Sequence, residues 1–259
     1  NKVVLDKSYR LPTAVYNLAD SLVKQIDIRQ KKVWSPTDKT GTVVWHRDIL
    51  DVDITTGEWL ILARTNFIAN RIANDLKEQG FLYWREGSGW SISPNVLTGI
   101  EVWLRLCKNK QLSASELKSL STQLNSTVIT KAGRKSLANL NPEVTYTLTD
   151  IQSLCELSAT EQTPWHEVLK VSDKERIYIT SVRRMGESIL SGKPRIRIST
   201  IHKAKGGEAD NVLLLLESSP VITRAEDTEG EIRTFYVGMT RARKQLHLVE
   251  SHSNHRFEL

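Results

Sequence analysis

Apolar residues recur along this chain in two rhythms. Val15, Leu18, Ala19, Leu22, Val23 and Ile26 fall at the spacing that gathers them on one helical face, with Pro12 near the first turn. Ile68, Ile72, Ala73 and Leu76 do the same after Thr65, and Gly80 stands where a helix can end in a left-handed residue. Shorter runs read as strands: 41–46, 58–64, 81–84, an alternating 194–198, a continuous apolar 212–216, and 245–249, the last preceded by a helix over 231–243. Strand, helix and strand in alternation predict an α/β fold with a parallel sheet flanked by helices.

Between about 96 and 192 the pattern changes. Val96, Leu97, Ile100, Val102, Trp103, Leu104 and Leu106 predict a helix. Ser113 with Glu116, Thr163 before Pro164, and Ser172 with Glu175 mark further helix starts. A mainly helical insertion therefore interrupts the sheet domain, giving residues 1–95, 96–192 and 193–259 as the expected divisions. The tryptophans read as packing residues, with Trp90 beside Gly89 a candidate for stacking. Lys131, Arg134 and Lys135, or Arg183 and Arg184, are solvated charge or duplex contacts.

Candidate chemistry gathers in the loops. In an open α/β sheet, ligands bind where loops leave the strand ends, and the loop after 194–198 carries His202, Lys203, Lys205 and Glu208 around Gly206-Gly207. It reads either as a solvated turn or as a backbone cradle whose lysines suit phosphate. Arg64-Thr65-Asn66 occupies a strand-to-helix turn, as a helix cap, a phosphate contact, or both. Tyr9-Arg10 at a helix entrance is a surface pair, or a ring for a base beside a guanidinium for a phosphate. Arg10 and Arg241 are arginines at two remote points that one sheet edge could bring together. His252-x-x-His255 lacks an evident third ligand and reads as a polar tail, so no metal site is expected.

Two long strings, "STIHKAKGGEADNVLLL" and "RTFYVGMTRARKQLHLV", resemble motifs V and VI of the UvrD/Rep group of superfamily 1 helicases, and "KSYRLP" resembles motif IV. "ARTN" is similar to the segment with which that family touches single-stranded DNA. The resemblance implies a RecA-like sheet and a helical subdomain between motifs IV and V. It implies that Tyr9 packs on adenine, Arg10 reaches the γ-phosphate, Gly206 and Glu208 contribute to the ATP site with Glu208 on the ribose hydroxyls, and Arg241 is the arginine finger. Arg64, Asn66, Thr200, His202 and Lys205 would face DNA. ATP and Mg2+ are the implied cofactors, and single-stranded DNA and single-strand/duplex junctions the implied partners, with movement 3′ to 5′.

Composition alters this picture little. Lysine and arginine number 36 against 30 acids, a net charge of +6 that favours a polyanionic partner. Two cysteines without metal-ligand spacing fit reduced thiols. No apolar run approaches membrane length and no leader pattern opens the chain, so a cytoplasmic location in a bacterial or phage-infected cell, without membrane contact, is expected.

The sequence contains no Gly-x-x-x-x-Gly-Lys-Ser/Thr loop; Gly186 to Gly192-Lys193-Pro194 has one residue too many and a proline in place of the hydroxyl. The expectation is the C-terminal portion of a helicase, joined in cis to an N-terminal half that holds the phosphate loop and Mg2+ ligands, and inactive alone. The alternatives are the helicase half of a helicase-nuclease, and a stand-alone, non-catalytic module that binds DNA or a partner.

Overall fold

The computed structural model describes residues 7–29, 33–187, 194–204, 206–225, 227–251 and 253–259. Two compact units emerge: Asn1–Glu78 with Leu82–Gly89 and Lys193–Leu259, and Gln79–Phe81 with Trp90–Gly192.

The first unit opens with α1 (Thr13–Val23), β1 (Thr42–His46), a single 3-10 turn, β2 (Trp59–Ala63), α2 (Asn66–Glu78) and β3 (Tyr83–Arg85), and β4 (Gly89–Trp90) falls where the chain passes from the first unit to the second. The second unit holds α3 (Pro94–Cys107), β5 (Leu112–Ser113), α4 (Ala114–Ser121), α5 (Lys131–Ala138), β6 (Thr145–Tyr146), α6 (Leu148–Cys155), α7 (Trp165–Val168) and α8 (Asp173–Arg184). The chain then returns to the first with β7 (Ile196–Thr200), β8 (Ala209–Leu215), α9 (Pro220–Thr223), α10 (Thr228–Met239) and β9 (Ala242–Val249).

The sheet order is β1-β9-β8-β2-β7-β3-β4, and the pairings from β1 through β3 are parallel. This is the parallel α/β arrangement that the strand and helix order predicted, and it agrees with the RecA-like sheet that the resemblance implied. Its middle strand, β2, is buried along all five residues, as expected of a strand covered on both faces. Leu60 and Leu62 join Val212, Leu214, Leu246 and Leu248 under α1 and α10. Alternation then turns Trp59, Ile61 and Ala63 to the other face. There α2 packs against β2, β3 and β7, burying Ile68, Ile72 and Leu76. Gly238 brings α10 close: a Cβ there would lie 3.0 Å from Leu214 Cδ1.

On the face that carries Trp59, His46 Nε2 and His247 Nδ1 lie 3.0 Å apart, and His247 meets Trp59 at a ring separation of 4.9 Å. Burial, then the neighbouring His46, pushes the His247 pKa down to about 4.

Several predicted boundaries shift. The helix expected over 231–243 begins earlier, because the Asp227 carboxylate accepts the Gly230 amide, and ends at Met239. Arg243 consequently belongs to β9. Gly80 adopts the left-handed conformation predicted for it, at φ +83°.

In the second unit, Ser113 with Glu116 and Ser172 with Glu175 form reciprocal caps. Thr163 does not cap α7. Its Oγ1 instead accepts the Thr160 amide, and Pro164 leads into the helix. Trp103 is buried with its indole N–H on the Thr163 carbonyl, and Trp165 is buried too, both in packing roles. The two cysteines are not disulfide-bonded.

Candidate functional site

Parallel strands give the sheet one edge of strand starts and one of strand ends, and the candidate residues divide between them. At the start edge, buried Leu11 anchors the segment before α1, while the Ser8 hydroxyl accepts the Arg10 and Leu11 amides. Arg10 Nη1 then lies 3.5 Å from the Glu208 carboxylate, and Arg10 Nε is buried without a partner. Tyr9, beside it, leaves 88% of its surface exposed.

Buried Met239 anchors the end of α10, and Arg241 follows in the turn into β9. Its Nε donates to the Val237 carbonyl at 2.9 Å, and among the described residues it has no ion pair. Burial, and then the charge of Arg10, lower the Arg241 pKa. Burial likewise raises that of Tyr236, which feels the charges of Arg10 and Arg241. The structure thus brings Arg10, Glu208 and Arg241 together from three distant parts of the chain.

A network that local sequence reading missed surrounds them. Glu58 pairs with Arg197 at 3.1 Å and with Arg243 at 2.7 Å. Arg243 also reaches Asp210 at 3.1 Å and Glu208 at 3.8 Å, and Lys244 reaches Asp210 at 2.6 Å. The bond from Lys244, joined by the charge of Arg243, lowers the Asp210 pKa. Among the described residues of this network, five cations meet three carboxylates. The local sign of it in the sequence was the alternation of charged and apolar residues over 194–198, which carries Arg197.

The chemistry of this edge is that of a site for an anion. Among the described residues Arg10 Nε lacks an acceptor, as buried donors rarely do, and Arg241 has no ion pair. Among the described residues no group of three or more histidines, cysteines or acids is arranged to hold a metal ion.

At the end edge, Ala63 is in register with Thr200, so the loops leaving β2 and β7 lie side by side. Asn66, Phe67, His202 and Lys203 are exposed there. Arg64 is engaged internally: its Nη2 and Nε lie 2.6 and 2.9 Å from the Glu231 carboxylate oxygens, with both side chains largely covered. Thr200 is buried, and its Oγ1 accepts the Lys203 amide and shapes the turn. Lys205 and His252 lie outside the described residues. Gly206 has φ +90° with open space where a Cβ would stand, so the loop uses its left-handed freedom there and not a close backbone approach.

Residues 201–208 link the two edges. They leave the end of β7 and reach the start of β8 on the far side of β2, in eight residues where a parallel crossover ordinarily takes a dozen or more. Ile201 and Ala204 fix this segment in the core beneath α1 and α10.

Residues 108–253, more than half of the chain, match the family model described as UvrD-like helicase C-terminal domain. That span includes His202, Glu208 and Arg241 and lies beyond Tyr9, Arg10, Arg64 and Asn66. No curated protein gives a significant match to the chain.

Proposed function

The chain belongs to the family of UvrD-like helicase C-terminal domains, and on that premise we propose that it supplies one wall of an ATP site and part of a single-strand track in a DNA helicase. The observation that carries this reading is the meeting of Arg10, Glu208 and Arg241 at the start edge, with Arg10 Nε unpartnered. Arg241 is the proposed arginine finger. Its partial burial reduces the screening by water of the charge it would aim at a phosphoryl group.

Arg10 would bind the γ-phosphate, with Tyr9 offering its exposed ring to the base and Glu208 accepting from the ribose hydroxyls. ATP contributes the phosphoryl group whose transfer to water drives the cycle. The phosphate loop and Mg2+ ligands are proposed to come from another domain, an N-terminal half in cis, because the sequence has no such loop. On this reading the chain alone hydrolyses no ATP.

At the other edge, Asn66 and His202 are the proposed direct DNA contacts, with Lys205 beside them in the sequence. Arg64 and Thr200 would hold their loops in shape. Contacts to phosphates give affinity without sequence information, which suits a translocase. Movement 3′ to 5′, and action at single-strand/duplex junctions, extend the same family reading.

The test is ATP hydrolysis by an assembly holding both halves, with and without single-stranded DNA. Arg241→Ala is expected to remove turnover while nucleotide binding persists. Unchanged hydrolysis in that variant would favour the rival reading, a non-catalytic DNA- or partner-binding module. Hydrolysis by the isolated chain would refute the proposal of a second half.

A further inference from the structure

Phe67 is the apolar residue of α2 that the core does not use. Ile68, Ala69, Ile72, Ala73 and Leu76 are buried, whereas Phe67, one residue before them, leaves 76% of its surface exposed. A single exposed apolar side chain is ordinary. This one stands at the end edge of the sheet, where β2 gives way to α2 and the loop after β7 lies alongside.

Its surroundings are cationic and partly unsatisfied. Arg85, at the end of β3, donates from Nη2 to the Asn66 carbonyl at 3.4 Å and from Nη1 to Ser88 Oγ at 2.7 Å. Its Nε is buried with no partner. Lys203 reaches over the turn after β3, where a Cβ on Gly87 would come 3.2 Å from its Nζ. Glu86 is the acid on that turn. By contrast Arg64 and Arg71 are matched by Glu231 and Glu217.

An exposed aromatic face beside cations that phosphates can reach is the arrangement by which proteins hold single strands, since every base has a π-face and every nucleotide a charge. A duplex keeps its bases stacked on one another and cannot offer such a face. We propose that Phe67 is a stacking platform for one unpaired nucleobase, with Arg85 and Lys203 holding the flanking backbone. The inference rests on the single-strand track proposed above and assigns it a base-reading position.

The experiment measures equilibrium binding of the intact protein to a labelled oligothymidylate and to an abasic strand of the same length. Wild type, Phe67→Ala and Phe67→Trp are compared. The loss of one stacking contact is expected to weaken Phe67→Ala on oligothymidylate roughly tenfold. Phe67→Trp should retain affinity, and wild type and Phe67→Ala should bind the abasic strand equally. Equal binding of wild type and Phe67→Ala to oligothymidylate overturns the platform and leaves the track standing. An equal loss on both strands also overturns it, since the side chain would then serve the fold or the backbone. If wild type shows no salt-sensitive binding to either strand, the track fails and the platform with it.

Discussion

The two edges of one sheet carry opposite electrostatic designs. At the strand starts, cations and carboxylates are interlocked: Glu58, Glu208 and Asp210 each hold one or more of Arg10, Arg197, Arg243 and Lys244. Among the described residues, Arg241 stands beside that network with no ion pair of its own. At the strand ends, Arg64 and Arg71 are neutralised and the exposed groups are Asn66, Phe67, His202 and Lys203. A dense network fixes a few charges in direction, which suits a ligand with localised charge. An open edge with one aromatic ring suits a polymer that must slide. The same strands support both because parallel pairing separates starts from ends by the strand length, about 16 Å for five residues.

The largest effect that would sharpen this contrast belongs to Arg241. In the assembly with both halves, Arg241→Ala should lower ATP turnover about a thousandfold or more, while affinity for single-stranded DNA stays within a factor of two or so of wild type. Equal losses in both readouts would mean that the edges are not separate sites.

Next comes the sheet between them. His247 has a folded pKa of about 4, below the ordinary histidine value near 6.5, so the unfolded chain takes up the proton first as pH falls. Its contribution to stability is complete above about pH 6.5 and declines toward pH 4, by about 1.4 kcal/mol per pH unit. Urea unfolding at pH 7, 6 and 5 should show this slope, and His247→Leu should flatten it.

Removing a charge-assisted bond at the start edge is a smaller change. Glu208→Ala should weaken nucleotide binding roughly tenfold, read by titration calorimetry, and leave DNA affinity alone. Smallest is Lys203→Ala, which should reduce the slope of log affinity against log salt by about 0.7 and leave nucleotide binding unchanged. A nucleotide defect in Lys203→Ala would break the division.

What the sequence revealed, and what it withheld, follows from range. The helical face of Val15, Ala19 and Leu22 and the buried run of β8 were legible because their periodicity is local. The loop with His202 and Glu208 was legible because its residue types are contiguous. The strand order was not, since β8 lies between β9 and β2 by choices of partner that no local pattern encodes. Nor was the Arg64–Glu231 pair, formed across 167 positions, or the Glu58 network. The α10 boundary was misread because Arg241-Ala242-Arg243 continues a helical composition after the buried face ends at Met239. Phe67 gave no signal, because one apolar residue beside a helical stripe looks the same whether packed or exposed.

The eight-residue crossover has a consequence for slack. From the register, Ala209 starts about six residues below the level of Thr200 and two strands away, a straight distance of about 22 Å. Nine extended steps would reach about 31 Å. The Ala204 amide, however, bonds the Thr200 carbonyl at 3.0 Å, coiling the first four steps into a turn that advances only about 6 Å. The Gly207 amide in turn bonds the Ala204 carbonyl at 2.9 Å, so a second turn follows the first. The segment carrying His202 and Glu208 is thus turned twice on its way between the edges, and its course is set by the hydrogen bonds of those turns.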